Sequence, residues 1–314
     1  MKKVLSVSLG SSTRNHRVEA EILGEKFSIE RLGTDGDKKK AIEIIKEHDG
    51  KVDAFGMGGI DLYLTIKNKK YMLRSALPIQ RAAIKTPMVD GTGLKNTLER
   101  MVIDYLDKEK IIDFKSKSVL ITSAIDRFGL AESLKKTGAK GIYGDVFYAL
   151  GIPYFPHSLT SLKRIASILL PVVRHLPFEM LYPTGKKQDE ENKRNKNLEK
   201  IYQSVDIIAG DFLYIQQFMP ERLDNKIIIT NTITQDNVDR LKEKGVSLLI
   251  TTTPEFNGRS FGTNVMEGVL ISLAGKHYMD LTQEDYIDLL NKINFSPRII
   301  YLNDEYKSLE EVQK

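Results

Sequence analysis

Apolar residues recur with two different periods along the chain, and the arrangement changes partway. Near the start, Val4–Leu9 is a short apolar run that stops at Gly10, which predicts a first strand. Arg17–Leu23 and Lys26–Leu32 predict a hairpin, with Gly24 in its turn. Asp37–Glu47 has Ala41, Ile42, Ile44 and Ile45 on one face and Gly50 beyond its end, the pattern of an amphipathic helix. Val52–Met57 predicts a strand running into Gly58-Gly59. Asp61–Ile66 and Lys70–Ser75 predict a second hairpin around Asn68. Leu94, Leu98, Met101, Val102 and Tyr105 fall at helical spacing within Gly93–Leu106.

From Lys117 onward, short β-rich runs alternate with helical segments. The runs are Ser118–Ser123, Gly141–Asp145, Phe178–Tyr182, Val205–Asp211, Lys226–Asn231 and Ser247–Thr253. Between them, Asp126–Thr137, Thr160–His175, Lys186–Tyr202, Phe212–Arg222 and Thr234–Lys244 read as helices. Buried-looking strands with helical crossovers predict one parallel sheet covered on both faces, with the Ser118 and Val205 strands adjacent at its centre. Gly138 and Gly245 stand where helices should stop before a strand. The highly charged Lys186–Lys200 reads as a solvated helix face. The class is therefore α/β. An N-terminal α+β domain for substrate spans residues 1–114, and a C-terminal Rossmann-like doubly wound parallel sheet spans residues 115–314. The last helices, Gly262–Ala274 and Thr282–Asn291, are expected to pack back on the first domain.

Composition narrows the chemistry. The 314 residues include no cysteine, which excludes disulfides, thiolate metal sites and a cysteine nucleophile. The five histidines show no zinc-hydrolase spacing, so no metal is expected. A net charge of +5, spread out, gives a weak preference for small anionic partners and no nucleic-acid stripe. No apolar run approaches the roughly 20 residues of a membrane span. Met1-Lys2-Lys3 and its short apolar run read as a strand rather than a signal peptide. A soluble cytoplasmic protein is expected, with room left for a homo-oligomer.

Four loops could carry chemistry. Ser118–Ala131 has a strand, a turn and a helix where a dinucleotide fingerprint belongs, and Asp145 closes the next strand, where a carboxylate would meet ribose hydroxyls. Only Gly129 supplies glycine there. Asp126 reads as a helix cap, and Arg127 as a phosphate contact. A dinucleotide loop and a Rossmann shell without its cofactor both fit. Asp90-Gly91-Thr92-Gly93 precedes a helix; Asp90 could bind a substrate hydroxyl or simply cap the turn. Lys85 is the nearest candidate cation for an acid/base pair. Ser11, Ser12 and Asn15 gather donors after the first strand. Thr251–Asn264 includes Thr252 and Arg259, the latter suited to a carboxylate or phosphate.

Together these residues resemble the shikimate/quinate dehydrogenase family, and within it the divergent bacterial quinate 5-dehydrogenase-like group. The Asn-Thr-Asp-Gly-x-Gly motif of that family corresponds to Met88–Gly93, where Asp90, Gly91 and Gly93 match and Asn-Thr does not. The family's Val-Thr-x-Pro-x-Lys motif and its glycine-rich turn are absent. The resemblance implies oxidation of an alicyclic hydroxy acid of quinate or shikimate type, with NAD preferred and NADP admitted. In that reading Asp90 and Lys85 are catalytic. Ser11, Ser12, Asn15 and Arg259 bind substrate, while Thr122, Ser123, Arg127, Gly129, Asp145 and Thr252 face the cofactor. Two rivals remain: a non-redox small-ligand sensor on the same shell, and an acetate-kinase-like phosphotransferase, suggested by Ser6–Thr13 standing before a hairpin. The second requires another nucleotide-binding half, which the strand pattern does not offer.

Overall fold

The computed structural model describes residues 1–66, 69–173, 175, 195–253, 255–256 and 259–303. The chain opens with β1 (Lys2–Ser8), β2 (His16–Ile22), β3 (Glu25–Gly33), α1 (Lys38–His48) and β4 (Ala54–Gly58). Then come β5 (Tyr63–Ile66), β6 (Lys69–Met72), α2 (Leu77–Gln80), β7 (Met88–Val89) and α3 (Thr92–Lys108). The middle holds β8 (Ser118–Ile121), α4 (Phe128–Lys136), β9 (Lys140–Tyr143), α5 (Asp145–Leu150) and α6 (Leu159–Val173). After it follow α7 (Lys196–Ser204), β10 (Ile207–Gly210), α8 (Phe212–Phe218), β11 (Ile227–Thr230), α9 (Gln235–Glu243) and β12 (Leu248–Thr251). The chain finishes with α10 (Thr263–Leu273), α11 (Gln283–Lys292) and β13 (Arg298–Tyr301). Among the described residues no helix is long and apolar enough to cross a membrane.

Two compact units emerge. The first comprises Met1–Leu98, Ser167–Asp189 and Phe256–Phe295; the second comprises Glu99–Ala166, Glu190–Glu255 and Ser296–Lys314. In the first, five strands run in the order β2-β3-β1-β4-β7, all parallel except β2, which forms the expected hairpin with β3. The hairpin was legible because a tight turn joins β2 to β3. That β3 then lies parallel to β1 depends on a contact between separate segments, which periodicity does not encode. Asp37 starts α1 by accepting bonds from the Lys39 and Lys40 amides. Helix α10 packs on β1 and β4 of this unit, with Gly268 close to Val4.

The second unit has a six-stranded sheet in the order β9-β8-β10-β11-β12-β13. Its first five strands are parallel, and β8 and β10 are neighbours, as the sequence predicts. The sixth strand differs from expectation. It is β13, antiparallel on the β12 edge; the Phe178–Tyr182 run falls outside the described residues, as do residues 186–194 of the charged segment. Ile207, Ile208, Ile228, Ile229 and Leu248–Ile250 are buried, as strands covered on both faces must be. Tyr202, Phe212, Ile215 and Leu241 close the core over that sheet. Gly138 (φ +91°) and Gly245 (φ +88°) end α4 and α9 in the left-handed region, where a side chain would be strained.

Candidate functional site

Numbered by chain order, the parallel strands of the second unit read 2-1-3-4-5. The order reverses between β8 and β10, and ligands of open α/β sheets settle outside the carboxyl ends at that reversal. Four sequence-predicted residues meet there or beside it. Thr122 and Ser123 follow β8, Arg127 leads into α4, and Asp145 opens α5 after β9.

Arg127 is 3% exposed. Its guanidinium bonds the Glu99 carboxylate, itself 1% exposed, and donates to Asp211 Oδ2 at 3.0 Å. Asp211 also accepts from the Leu213 amide at 2.9 Å and from Asn231 Nδ2 at 3.0 Å. Burial works against the Arg127 charge, but Glu99 and Asp211 outweigh it and hold the guanidinium firmly protonated. The arginine read as a phosphate contact is thus occupied by two carboxylates of its own unit. Asp126 is not the α4 cap: the cap position falls on Arg127, with no side-chain bond.

Asp145 is 8% exposed. Its Oδ1 accepts from the Ile125 amide at 2.7 Å, and its Oδ2 has no hydrogen-bond partner. Burial pushes its pKa up to about 7; the amides of Ile125 and Ala124 oppose that shift and the Asp126 charge adds to it. Thr122 Oγ1 and Ser123 Oγ are likewise buried without partners. Nearly all buried polar atoms in proteins are paired, so three orphans at the ends of two neighbouring strands need an explanation. Gly210, at φ +136° on β10, crowds this point: a Cβ there would lie 2.1 Å from Thr122 Oγ1. Gly210→Ala is expected to lower stability by about 2 kcal/mol through clash and backbone strain, read from urea unfolding.

The remaining predicted residues are placed elsewhere. Gly129 is buried in the first turn of α4. Thr252 follows β12, three strand spacings from β8, or about 14 Å at roughly 4.8 Å each. In the first unit, Ser11 Oγ pairs with Thr13 Oγ1 at 2.8 Å, and the Ser12 amide donates to Asp35. Asn15 accepts from the Gly33 amide, so this loop is bound to the end of β3. Asp90 accepts from the Leu62 amide at 2.6 Å and the Thr92 amide at 3.0 Å. Lys85 precedes β7 and Asp90 follows it, so the proposed acid/base pair stands at opposite ends of that strand. The Lys85 stem packs beside Gly50. The side chain of Arg259 lies outside the described residues.

Sequence reasoning missed Glu99, Asp211 and Glu267. Glu267 is 3% exposed, accepts from the Gly91 amide and the Tyr286 hydroxyl at 2.7 Å each, and is pushed up to about 7 by burial and then by Asp90. Its signal was a single carboxylate in the otherwise apolar Val265–Ile271 stretch. Glu99 stands one position from the apolar Leu98 stripe, and its partner lies 28 residues away, so nothing local marked it.

A family model described as Domain of unknown function (DUF8754) matches residues 93–302, and one described as Domain of unknown function (DUF8753) matches residues 3–90. No curated protein matches the chain. Among solved structures, a galactofuranose binding protein is similar at 12% identity, with 100% of both chains covered and a TM-score of 0.39. A Burkholderia graminis ABC transporter solute binding protein with D-arabinose is 8% identical, covering 96% of this chain and 95% of that one, at 0.38. A Thermotoga lettingae 5-methylthioribose transporter solute binding protein is 8% identical, covering 99% and 92%, at 0.37. The quinate/shikimate dehydrogenase reading is corrected on the geometry: the arginine expected to meet the cofactor is held by Glu99 and Asp211, and the expected catalytic pair is split across the two ends of β7.

Proposed function

We propose that this chain, which belongs to the family described as Domain of unknown function (DUF8754), is a non-redox protein that binds a small, neutral, polyhydroxylated ligand. The ligand sits at the carboxyl ends of β8 and β9. The observation that carries the reading is the set of three orphaned buried atoms there: Thr122 Oγ1, Ser123 Oγ and Asp145 Oδ2. Hydroxyls both donate and accept, so a polyol satisfies two hydroxyls and a carboxyl oxygen together. Leaving such groups buried and unmet costs about 1–3 kcal/mol each, which a matching ligand recovers.

Charge supports a neutral ligand over an anion. One buried cation, Arg127, faces Glu99, Asp211 and Asp126. Added phosphate or carboxylate would meet net negative charge at short range.

The experiment is a thermal-shift panel of neutral sugars and polyols beside quinate, shikimate and NAD. Stabilisation by a neutral polyol is expected, weakened about tenfold in affinity by Ser123→Ala and again by Asp145→Asn, at ~1.4 kcal/mol for each lost bond. Binding confined to the anionic compounds, or hydride transfer from quinate to NAD, overturns the reading.

A further inference from the structure

A cavity of about 570 Å³ opens in the first unit, at the end of the sheet away from Asp90. It is formed by the segment from α2 to β7 and by the chain leaving α10. Arg81 and Lys85 line it, with Ile84, Met88, Ile271 and Met279 as apolar surface. Ile84 is 86% exposed and Met279 is 74% exposed, so two large apolar side chains stand in water. Lys276 and His277 complete the basic lining, and among the described residues no carboxylate lines the cavity.

Two nearby carboxylates are already engaged. Asp285 is held by Lys276 Nζ at 2.6 Å. Asp49 accepts from the Ile84, Lys85 and Thr86 amides and fixes the shape of that segment. The side chains of Arg81 and Lys85 enter no ion pair among the described residues. Two available cations beside exposed apolar surface make a complement to one kind of molecule.

We propose that this cavity is a binding site for a small organic anion with an apolar body, such as a carboxylate or sulfonate on an aliphatic or aromatic frame. Its volume falls within the roughly 300–1,000 Å³ of small-molecule sites, which favours such a ligand over a protein surface. The anionic head pairs with Arg81 and Lys85 in charge-assisted hydrogen bonds, and the body covers Ile84 and Met279. Lys85, read from sequence as catalytic, gains a binding role here instead.

The test uses the full chain and two fluorescent probes. One is 1-anilino-8-naphthalenesulfonate; the other is N-phenyl-1-naphthylamine, the same frame without the sulfonate. Saturable one-to-one binding of the sulfonate is expected, with the neutral probe at least tenfold weaker and octanoate competing. Arg81→Glu and Lys85→Glu are exposed changes that leave the fold intact, and each should weaken sulfonate binding about tenfold or more. Ile84→Ser should weaken both probes, and Asp145→Asn in the second unit should change neither. Equal affinity for the two probes, or sulfonate binding unaltered by both charge reversals, overturns the proposal. So does sedimentation showing that the face is covered by a second copy of the chain and excludes the probe.

Discussion

Arg127→Met is expected to lower stability by about 3–5 kcal/mol, the usual result of removing one partner from a buried ion pair. The cause is specific. Glu99 is 1% exposed and would keep a desolvated charge without its buried cation. Asp211 is 23% exposed on its side chain and holds Leu213 and Asn231 as well, so it tolerates the loss better. Urea unfolding of Arg127→Met, Glu99→Gln and the double mutant checks this. The double mutant should be clearly more stable than the sum of the single losses, because the second change neutralises the stranded charge. A loss under about 1 kcal/mol for Arg127→Met would show that the pair does not hold the β8–β10 junction.

Stability is expected to fall as pH rises from about 4 to about 7 and then to level off, as far as two buried carboxyls control it. Glu267 rises from an ordinary 4.5 to about 7, and Asp145 from 3.8 to about 7. In both cases the folded chain holds a proton through that window and the unfolded chain has released it. The favourable contribution is therefore complete below about 4 and is lost as pH climbs through the folded value. At 1.36 kcal/mol per pKa unit, Glu267 accounts for about 3 kcal/mol and Asp145 for about 4. Glu267→Gln and Asp145→Asn should each flatten part of the profile of unfolding free energy against pH. A profile rising between pH 4 and pH 7, unchanged by both substitutions, would contradict the assignment. Asp285 moves the other way, to about 2, but it lies at the surface, tied to a solvent-exposed Lys276, so its weight is small.

What could be read from the sequence followed the range of each interaction. β8, β10, β11 and β12 announced themselves as short Ile- and Leu-rich runs, because strands buried on both faces admit little else. Adjacency of β8 and β10 followed from the crossover pattern. Strand β13 was not legible, since its partner β12 is about 50 residues earlier and an edge strand carries weak patterning. The site divided in the same way. Thr122, Ser123, Arg127 and Asp145 were found because loops at carboxyl ends of parallel strands are where ligands settle. The engagement of Arg127 was not legible, because its carboxylate partners Glu99 and Asp211 are distant in sequence. Ser11, Ser12 and Asn15 looked like ligand donors, but short polar side chains often serve the backbone around them: Ser11 accepts from the Thr13 amide and Asn15 from the Gly33 amide.

The most direct measurement is a two-dimensional amide NMR titration of the full chain with the neutral polyol that stabilises it best. The account predicts saturable shifts at the amides of Thr122, Ser123, Ile125 and Asp145, which sit at the ends of β8 and β9, and their loss in Asp145→Asn. Shifts confined to the first unit, or none at saturating polyol, would contradict a binding site at the carboxyl edge of the six-stranded sheet.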